Sequence, residues 1–328
     1  MPRPGEDDLI ARFFGPIAGP GSLDLQDDAA LLASPAGHEI VLTADAVVAG
    51  VHFFPDDPPE SIGRKALGGN LSDLAAKGAT PLGFLMTLAL PSDWTEAWLA
   101  AFCAGLGGMA EALNCPLLGG DTVRTPGPLS ISITALGAVP DGRMVRRTTA
   151  RPGQAICVTG TIGDAALGLA LSRPQPPAWE GALSNAHRDV LVDRYRNPQP
   201  RSVFAPALRE HASAAMDVSD GLAGDLAKLL RASGVSGTLA LDRVPLSPAA
   251  QAAVAADPDL LPTLVSGGDD YEILLTVAPD CIEALTRKAA ELGLGLAVLG
   301  EVTTGLEPLA ILKDGAPYRL PAGSFQHF

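Results

Sequence analysis

The alternation of strand-like and helix-like segments, which runs through the first half of the chain and then begins again, restricts the possible folds more than any other feature. In residues 129–139 (LSISITALGAV), apolar and polar side chains alternate, which is typical of a half-buried strand whose other face meets solvent or a partner chain. After residues 141–154 the pattern restarts with AICVTGTIG and a helix from Asp164. We therefore predict an α/β (α+β) protein of two domains, residues 1–148 and 149–328.

The remaining periodicities place further elements in both halves. Strands are predicted at 39–45, 83–90, 214–218, 237–242, 271–277 and 295–303. Helices are predicted at 59–78, 94–113, 184–196, 222–233, 248–256 and 279–292. The proline-rich segment 173–181 is predicted to be a surface loop or a short disordered link.

Composition argues against several classes of protein. A chain of 328 residues with 47% hydrophobic residues is globular, and its apolar runs fall short of the roughly 20 residues of a membrane helix. The net charge of −14 argues against binding to nucleic acids or acidic membranes, since both require basic surfaces. The four cysteines lack metal-binding spacing and are expected to be reduced core residues. Because the acidic N-terminal stretch does not resemble a targeting peptide either, we predict a cytoplasmic protein.

The acidic residues are mostly aspartates, 25 against 12 glutamates, and five segments place an aspartate where an apolar run meets a loop. These segments are LQDDAALL (25–32), LTADAVV (42–48), NLSDLAAKG (70–78), LLGGDT (117–122) and MDVSDG (216–221). Aspartates that converge from several strand ends can hold hard cations such as Mg²⁺. The chain has no Gly-Lys dipeptide and therefore no P-loop, so any phosphates would be bound by metals and arginines.

A structural explanation remains open for each of these segments taken alone. Aspartate caps helices and forms turns, which would account for Asp27, Asp28, Asp121 and Asp220. A surface ion pair with Lys77, one helical turn later, would account for Asp73.

Nine motifs then follow one another in order along nearly the whole chain. They are DDAAL, TADAVVAGVHF, ALGGNLSDLAAKGATP, LLGGDT, VTGTIGDAALGL, RNPQPR, MDVSDGL, SGGDDYE and GSFQHF. In this set the chain resembles the thiamine-monophosphate kinases, which belong to the superfamily of aminoimidazole-ribonucleotide synthetase and selenide-water dikinase. The resemblance implies a PurM-like kinase fold and a homodimer whose N-terminal sheets pair across the interface. It further implies an enzyme that uses ATP as co-substrate and several Mg²⁺ ions to convert thiamine monophosphate to thiamine diphosphate by in-line transfer.

The same resemblance assigns roles to individual residues. The implied Mg²⁺ ligands are Asp28, Thr43, Asp45, Asp73, Asp121, Asp217 and Asp220. Among them, Asp45, Asp121 and Asp217 are expected to be catalytic. ATP is expected to contact Gly120, Asp121, Arg147 and Ser219. Thiamine monophosphate is expected to contact His52, Asp269 and Phe325, with its rings meeting Phe325 and Asp269 through cation–π and charge contacts.

Without the resemblance, the residues outside the aspartate segments have ordinary explanations. His52 would be a core histidine, Arg147 part of a solvated basic run, and Phe325 a packing residue near the chain end. Asp225, which follows the MDVSDG segment, is expected to cap a helix or face solvent.

Four positions depart from the family pattern. Gln26 replaces a glycine, Ala44 replaces a hydroxyl residue, Asp269 replaces a glutamate, and Phe325 replaces a tyrosine or tryptophan. None of these changes removes a carboxylate from the implied metal set.

Two other functions are compatible with the same carboxylates. One is a different ATP-dependent member of the superfamily, such as aminoimidazole-ribonucleotide synthetase. Selenide-water dikinase is disfavoured because the first cysteine is Cys103, and the hydrogenase-maturation relative because the chain ends in QHF. The other is a non-catalytic nucleotide or metal sensor, which would bind ATP and Mg²⁺ without forming ADP.

Overall fold

The chain folds into two compact units in the computed structural model, which describes residues 5–320. Of the described residues, the first unit contains 5–74 together with Ala79–Arg143, and the second contains Ala75–Gly78 and residues 144–320. Each unit combines helices with one sheet, which confirms the predicted α/β class.

The first unit is a four-stranded sheet with two long helices. Its strands are β1 (His38–Val48), β2 (Thr80–Leu90), β3 (Leu117–Arg124) and β4 (Ser130–Pro140). Its helices are the short α1 (Glu6–Leu9), α2 (Pro59–Ala76), most of which belongs to this unit, and α3 (Glu96–Ala112). Strand β3 is the one element of this sheet that the sequence patterns do not predict.

The strand order in this sheet is β1-β4-β2-β3. Strand β4 runs antiparallel to both of its neighbours, whereas β2 and β3 are parallel and are joined through α3, as parallel strands require a crossover connection. Helices α2 and α3 approach closely at two glycines. A Cβ on Gly63 would lie 2.3 Å from the carbonyl oxygen of Phe102, and one on Gly105 would lie 1.9 Å from that of Glu60.

The two faces of this sheet differ in exposure. One face is the core of the unit, in which Ile131 and Ile133 of β4 are almost completely buried. The opposite face carries exposed apolar side chains, because Leu42 is 62% exposed, Val123 43% and Leu85 39%. The alternating pattern of residues 129–139 therefore predicts the buried face correctly. The opposite face of the sheet has exposed apolar side chains.

The second unit has a seven-stranded sheet. Its strands are β5 (Ala155–Thr159), β6 (Ala212–Asp217), β7 (Ser236–Ala240), β8 (Ile273–Val277), β9 (Leu296–Thr303), β10 (Ala310–Lys313) and β11 (Ala316–Pro317). Its helices are α4 (Asp164–Leu171), α5 (Asn185–Arg196), α6 (Ala205–His211), α7 (Leu222–Ser233), α8 (Pro248–Ala256), α9 (Leu261–Ser266) and α10 (Ile282–Glu291). The strand order is β11-β10-β7-β9-β5-β8-β6, which leaves β6 at an edge.

The central strands of this second sheet are buried on both faces. In β5, Ile156 and Val158 belong to one hydrophobic cluster with α7, while Ala155 and Cys157 belong to a second cluster with α6 and α10. Burial on both sides explains why β5 and β8 read as continuous apolar runs, since each successive side chain enters a different core layer. This packing gives the loops at the end of β6 and at the start of β8 a rigid base.

The cysteines, the proline-rich segment and the lengths of the helices can be compared with the sequence predictions. The free cysteines Cys103, Cys115 and Cys157 are buried, and burial raises the pKa of each thiol to about 12. Within residues 173–181, a 3₁₀ helix (Ala178–Ala182) buries Trp179, so a disordered link is wrong for that part. Across residues 5–320, no helix has the length and apolar character needed to cross a membrane.

Candidate functional site

The first group of predicted site residues lies on a closed loop near the start of the chain. The loop is closed by a 2.8 Å hydrogen bond from the Leu31 N–H to the Gly21 carbonyl oxygen. Inside it, Asp27 Oδ1 accepts the backbone N–H of Asp28 at 2.7 Å. Asp27 therefore holds the loop backbone. The Asp28 carboxylate is exposed and accepts no hydrogen bond from the residues that the structure describes.

A cavity of about 550 Å³ joins this loop to strand β3 and is lined by Asp28, Gly120 and Asp121. The Gly120 backbone passes so close to β2 that a Cβ would lie 1.8 Å from the Met86 carbonyl oxygen, and its φ of 156° also favours glycine. The Asp121 carboxylate is exposed, with no hydrogen-bond donor for it among residues 5–320. The cavity thus combines two available carboxylates with an unshielded stretch of backbone.

A second group of predicted residues connects β1 with α2. The Thr43 hydroxyl donates a 2.5 Å hydrogen bond to Asp73 Oδ2, which brings a β1 side chain and an α2 side chain together. Asp45 lies two residues beyond Thr43 and therefore on the same face of β1. One helical turn before Asp73, Asn70 is completely buried. Its Oδ1 has no hydrogen-bond partner within the described part of the chain.

These two groups do not merge into one cage within the first unit. In the sheet register, Asp45 is level with Ile133 of β4, whereas Asp121 is level with Thr87 of β2. Thr87 in turn is level with Ser132, the neighbour of Ile133, so Asp45 and Asp121 project from opposite faces. Within residues 5–320, no three His, Cys, Asp or Glu side chains alone form a group that could hold a metal ion.

His52 lies in the turn that follows β1. The Val48 N–H donates to His52 Nδ1 at 3.0 Å, and the Gly50 N–H donates to the Phe53 carbonyl oxygen at 2.8 Å. Because Nδ1 accepts from the backbone, the proton of the neutral ring is on Nε2. The ring is half-buried, and the hydrogen bond from the Val48 N–H orients it.

In the second unit, the predicted residues lie on two neighbouring loops. Asp217 ends β6 and is 6% exposed, and Ser219 and Asp220 follow in the loop before α7. The Asp269 N–H donates to the Ser219 carbonyl oxygen at 2.9 Å, and the Tyr271 N–H donates to that of Val218 at 2.8 Å. These bonds continue the β6–β8 pairing beyond the strands and place Asp269 beside the Asp217–Asp220 loop.

The sequence suggests that Asp225 caps a helix or faces solvent. In the structure it is instead a buried residue that supports this loop. Its Oδ2 accepts the backbone N–H groups of Ser219 at 3.0 Å and Asp220 at 2.9 Å. Lys228 donates to Asp225 Oδ1 at 2.9 Å and also to the Asp220 carboxylate. The prediction for Asp225 is therefore wrong, because the carboxylate is fully buried and its hydrogen bonds go to the loop backbone and to Lys228.

Asp220 is also not an N-cap of α7. The N-cap position is Gly221, whose φ is 110° and which provides no side-chain cap. A Cβ on Gly221 would lie 2.5 Å from the Ser266 carbonyl oxygen, so the two loops pack backbone against backbone there. The Asp220 side chain is instead paired with Lys228 and is partly exposed.

The backbone around Asp269 has an uncommon conformation. Asp269 has a φ of 69° and Tyr271 a φ of 51°, both in the left-handed region. The Tyr271 hydroxyl donates to Asp269 Oδ1 at 3.1 Å. Non-glycine residues adopt this region at a cost, so the surrounding contacts must hold the loop in place.

Those contacts come from a buried network that the sequence reasoning did not identify. Glu272 is fully buried and accepts from Arg194 Nη2 at 3.0 Å, from Arg201 Nε at 2.8 Å and from the Thr159 hydroxyl at 2.8 Å. Arg194 Nη2 also donates to the Asp270 carbonyl oxygen at 3.0 Å. Both carboxylate oxygens of Asp270 accept the Gly163 N–H at 2.9 Å. We name these side chains the Glu272 network: Thr159, Arg194, Arg201, Asp270 and Glu272.

The electrostatics of this part follow from burial. Burial raises the pKa of Asp270 well above its ordinary value, while the Gly163 N–H and the Arg194 charge act in the opposite direction. Burial also raises the pKa of Asp225, against the lowering effect of Lys228 and of the Asp220 backbone N–H. The clue in the sequence was the run of acids in SGGDDYE directly before the apolar strand ILLTV, because acids so close to a core need cationic partners.

Arg147 and Phe325 complete the predicted set. Arg147 is exposed, and its carbonyl oxygen accepts the Ser233 hydroxyl at 2.9 Å. The carbonyl oxygen of the preceding Arg146 accepts the Ala215 N–H at 3.2 Å, so this segment runs along the edge strand β6 that leads to Asp217. Phe325 lies outside the described residues.

Comparisons with known proteins cover nearly the whole chain. The family model for the N-terminal domain of AIR synthase related proteins matches residues 26–139, and that for the C-terminal domain matches residues 151–309. The thiamine-monophosphate kinase of Caulobacter vibrioides is 42% identical over 324 residues, which are 97% of this chain and 90% of that protein.

Solved structures are similar over a comparable length. The thiamine-monophosphate kinase from Stenotrophomonas maltophilia is 39% identical with a TM-score of 0.80, covering 89% of this chain and 90% of that one. AaThiL complexed with AMPPCP and TMP is 26% identical with a TM-score of 0.77, covering 98% of this chain and 94% of that one.

Proposed function

Because the chain belongs to the thiamine-monophosphate kinase family of AIR synthase related proteins, we propose that it transfers the γ-phosphoryl group of ATP to thiamine monophosphate. The product is thiamine diphosphate. The structural observation that carries the proposal is the cavity lined by Asp28, Gly120 and Asp121, since it combines available carboxylates with exposed backbone. The similarity to AaThiL, which was solved with AMPPCP and TMP, supports both substrates.

The donor set fits a hard divalent cation. The side-chain oxygens of Thr43, Asp45 and Asp73 are hard ligands, and the buried Asn70 Oδ1 beside them lacks a donor among the described residues. Oxygen ligands of this kind are what Mg²⁺ selects. When bound, such ions neutralise the phosphates and reduce the repulsion between the two anionic reactants.

The residues of the first unit would bind and orient the nucleotide. Gly120 lets the phosphate chain approach the backbone without a Cβ in the way, and Asp28 and Asp121 supply carboxylates on either side of the cavity. Catalysis then consists of positioning and charge stabilisation for an in-line displacement, in which the acceptor phosphate oxygen forms the bond to the γ-phosphorus as the bond to ADP breaks.

No residue needs to act as a general base. The second pKa of a phosphate monoester is about 6, so the acceptor is already an anion near neutral pH. His52 suits a different role: its Nδ1 accepts the Val48 N–H, so the neutral ring is a donor at Nε2. We assign His52 to binding thiamine monophosphate rather than to proton transfer.

The residues of the second unit would contact both substrates. Ser219 and Arg147 are assigned to the nucleotide, Asp217 and Asp220 to cations, and Asp269 to thiamine monophosphate. Apart from Arg147, these residues lie on two hydrogen-bonded loops, which supports one functional cluster in this unit. Asp269 replaces the family's glutamate, so its side chain is shorter by one methylene. The left-handed backbone conformation at this residue determines the direction in which the side chain leaves the backbone.

A homodimer is part of the proposal. The outward face of the first sheet exposes Leu42, Leu85 and Val123, and a second copy of the chain would cover this apolar surface. Sedimentation velocity at micromolar concentration should give a mass near twice the chain mass of 33.5 kDa. A single species at the chain mass would contradict this part. The cytoplasmic location stays a prediction.

The proposed reaction is tested by a coupled ADP-release assay with three acceptors: thiamine monophosphate, free thiamine and the aminoimidazole precursor. We expect ADP release with thiamine monophosphate, accompanied by an equal amount of thiamine diphosphate in chromatography. ADP release with the aminoimidazole precursor alone would favour the related synthetase. Binding of ATP without ADP release with any acceptor would favour a sensor.

A further inference from the structure

The first unit contains a second cavity, of about 380 Å³, at one end of its sheet. Ala49 directly follows β1, Leu90 ends β2 and Leu129 directly precedes β4, and all three line the cavity. Its other walls include Phe53, Trp94 and Trp98. We call it the aromatic pocket. It shares no lining residue with the Asp28–Gly120–Asp121 cavity.

The Trp98 wall of the pocket is fixed in place. Two of the three tryptophans in the chain, Trp94 and Trp98, line it. Trp98 stacks on the buried Phe102, with ring centroids 5.3 Å apart and planes inclined by 10°. The Thr95 hydroxyl accepts the Trp98 N–H of the backbone at 3.1 Å and so pins the start of α3. A ligand would therefore meet a Trp98 ring that is already held in place.

The charge of the pocket selects the ligand. Asp93 is the one charged residue that lines it among the described residues, and no lysine or arginine does so. Aromatic faces attract cations, and an adjacent carboxylate adds to that attraction. An anionic group would be repelled by Asp93 and would lack a donor cation. The pocket therefore favours a flat, apolar ring that carries a positive charge.

The pocket adjoins a residue already assigned to the substrate. Phe53 directly follows His52, and the Gly50-to-Phe53 hydrogen bond at 2.8 Å closes the turn that carries both. The same turn thus supplies His52 and one wall of the aromatic pocket.

We propose that the aromatic pocket binds the cationic heteroaromatic portion of the substrate, the thiazolium ring and its attached pyrimidine. This inference rests on the proposed function, because thiamine monophosphate supplies that ring system. Trp94 and Trp98 stack against the rings and Asp93 faces the positive charge. The sequence motifs assign Phe325 and Asp269 to the same rings. The pocket residues Trp94, Trp98 and Asp93 are a further group assigned to recognition of the substrate.

The binding arm of the test uses tryptophan fluorescence in a Trp179→Phe background. Trp179 is buried in the second unit, so in this variant all tryptophan emission comes from the pocket. Free thiamine and thiamine monophosphate should quench the emission in a saturable manner. Inorganic phosphate at equal concentration should not, since it carries no ring. Absence of saturable quenching by both thiamine compounds would overturn the proposal.

The kinetic arm compares a matched pair of variants, Trp94→Leu and Trp94→Phe. Loss of the ring removes a cation–π contact and should raise KM for thiamine monophosphate about tenfold, which corresponds to about 1.4 kcal/mol, and leave KM for ATP unchanged. Trp94→Phe should restore most of the loss, and Asp93→Asn should show a smaller rise. Equal KM values for thiamine monophosphate in all three variants and the parent would overturn the proposal.

The two arms separate this inference from the proposed function. If thiamine monophosphate drives ADP release but the Trp94 and Asp93 variants behave like the parent, the pocket assignment fails and the kinase assignment stands. If the thiamine compounds quench the emission but ADP release requires another acceptor, the pocket stands as a thiamine site and the kinase assignment fails. Thermal unfolding of each variant verifies that it is folded before either arm is interpreted.

Discussion

The predicted site residues of the first unit and those of the second are held in place by different kinds of interaction. In the first unit, Asp28 and Asp121 are exposed, and no described residue donates a hydrogen bond to either carboxylate. In the second unit, the loop that carries Asp217 and Asp220 is supported by buried acids, of which Asp225 binds it directly. The first unit thus has carboxylates that are free of donors from the described residues and can bind a ligand, whereas the second unit has carboxylates that stabilise its fold.

The difference separates two uses of acidic residues, ligand binding and stabilisation of the fold. An exposed aspartate without a donor loses little on mutation unless a ligand uses it, because its charge is solvated. A buried acid such as Glu272 stabilises a loop only while its cationic partners remain, since an unpaired buried charge is expensive. Mutations in the first unit should therefore change catalysis more than stability, and mutations in the Glu272 network should do the reverse.

The largest expected effect is that of Asp121→Asn. We expect turnover with thiamine monophosphate to fall about 10²–10⁴-fold with an unchanged unfolding midpoint, because Asp121 is assigned to holding a cation that stabilises transition-state charge. The assay is the coupled ADP release at saturating ATP and Mg²⁺. Asp56→Asn, at an exposed position in the same unit, is the matched control and should retain full activity. Near-normal turnover in Asp121→Asn would contradict the role assigned to the cavity.

The second effect is one of stability. Arg201→Met removes a cation that donates to the buried Glu272 and leaves that charge underpaired. We expect a loss of about 3 kcal/mol in the free energy of unfolding, measured by urea denaturation. Arg201→Lys, which keeps a cation beside Glu272, is the matched variant and should lose less stability. Equal losses in Arg201→Met and Arg201→Lys would show that the network is not governed by charge burial.

A third effect is on the pH dependence of stability. The pKa of Asp270 is raised by burial, so the folded protein keeps this proton at pH values where the unfolded chain has lost it. The resulting stabilisation is present at low pH and is lost as pH rises through the folded-state pKa. Relative to Asp270→Asn, the parent should lose up to about 1.4 kcal/mol per pH unit upward from about pH 4.

The comparison for Asp270 needs a control for general effects of charge. Asp259→Asn, at an exposed position in the same unit, should leave the pH dependence of the parent unchanged. Parallel stability curves for the parent and Asp270→Asn, with no convergence or divergence above pH 4, would show that Asp270 is ionised in the folded protein at all pH values measured.

The smallest effect concerns the thiols, which report on burial without any mutation. Cys103, Cys115 and Cys157 are buried with pKa values raised to about 12, so they should not react with a thiol reagent at pH 8 in the native protein. Cys281 is half-buried and should react slowly. Unfolding in guanidinium should expose all four. Rapid reaction of more than one thiol in the native state would indicate that the cores open readily.

Much of the fold was predictable because its signals are local. The predicted helix at 222–233 matches α7 residue for residue, since a leucine stripe and Gly234 as C-cap define it. Strand β3 was missed because LLGGDTVR contains two glycines and a turn-forming aspartate, which weaken strand propensity. Strand β3 pairs with β2 and lines a cavity with the loop closed between Gly21 and Leu31, and sequence patterns do not predict such tertiary partners.

The candidate site was only partly predictable. Family motifs point to the carboxylates, and the contact between Thr43 and Asp73 agrees with their proposed common role. The motifs do not distinguish Asp220, which is ion-paired and partly exposed, from the buried Asp225 five residues later. They also do not reveal that Asp45 and Asp121 lie on opposite faces, because a one-residue difference in register decides the face.

The most direct test of the central claim is a Mg²⁺ titration of ADP formation in two variants, Asp73→Asn and Asp270→Asn. One changes a carboxylate assigned to cation binding and the other changes a buried acid that positions a loop. We predict that Asp73→Asn raises the half-saturating Mg²⁺ concentration at least about tenfold. Asp270→Asn should leave it at the parent value. An unchanged Mg²⁺ requirement in Asp73→Asn, or a shift confined to Asp270→Asn, would contradict the division of roles between the two units.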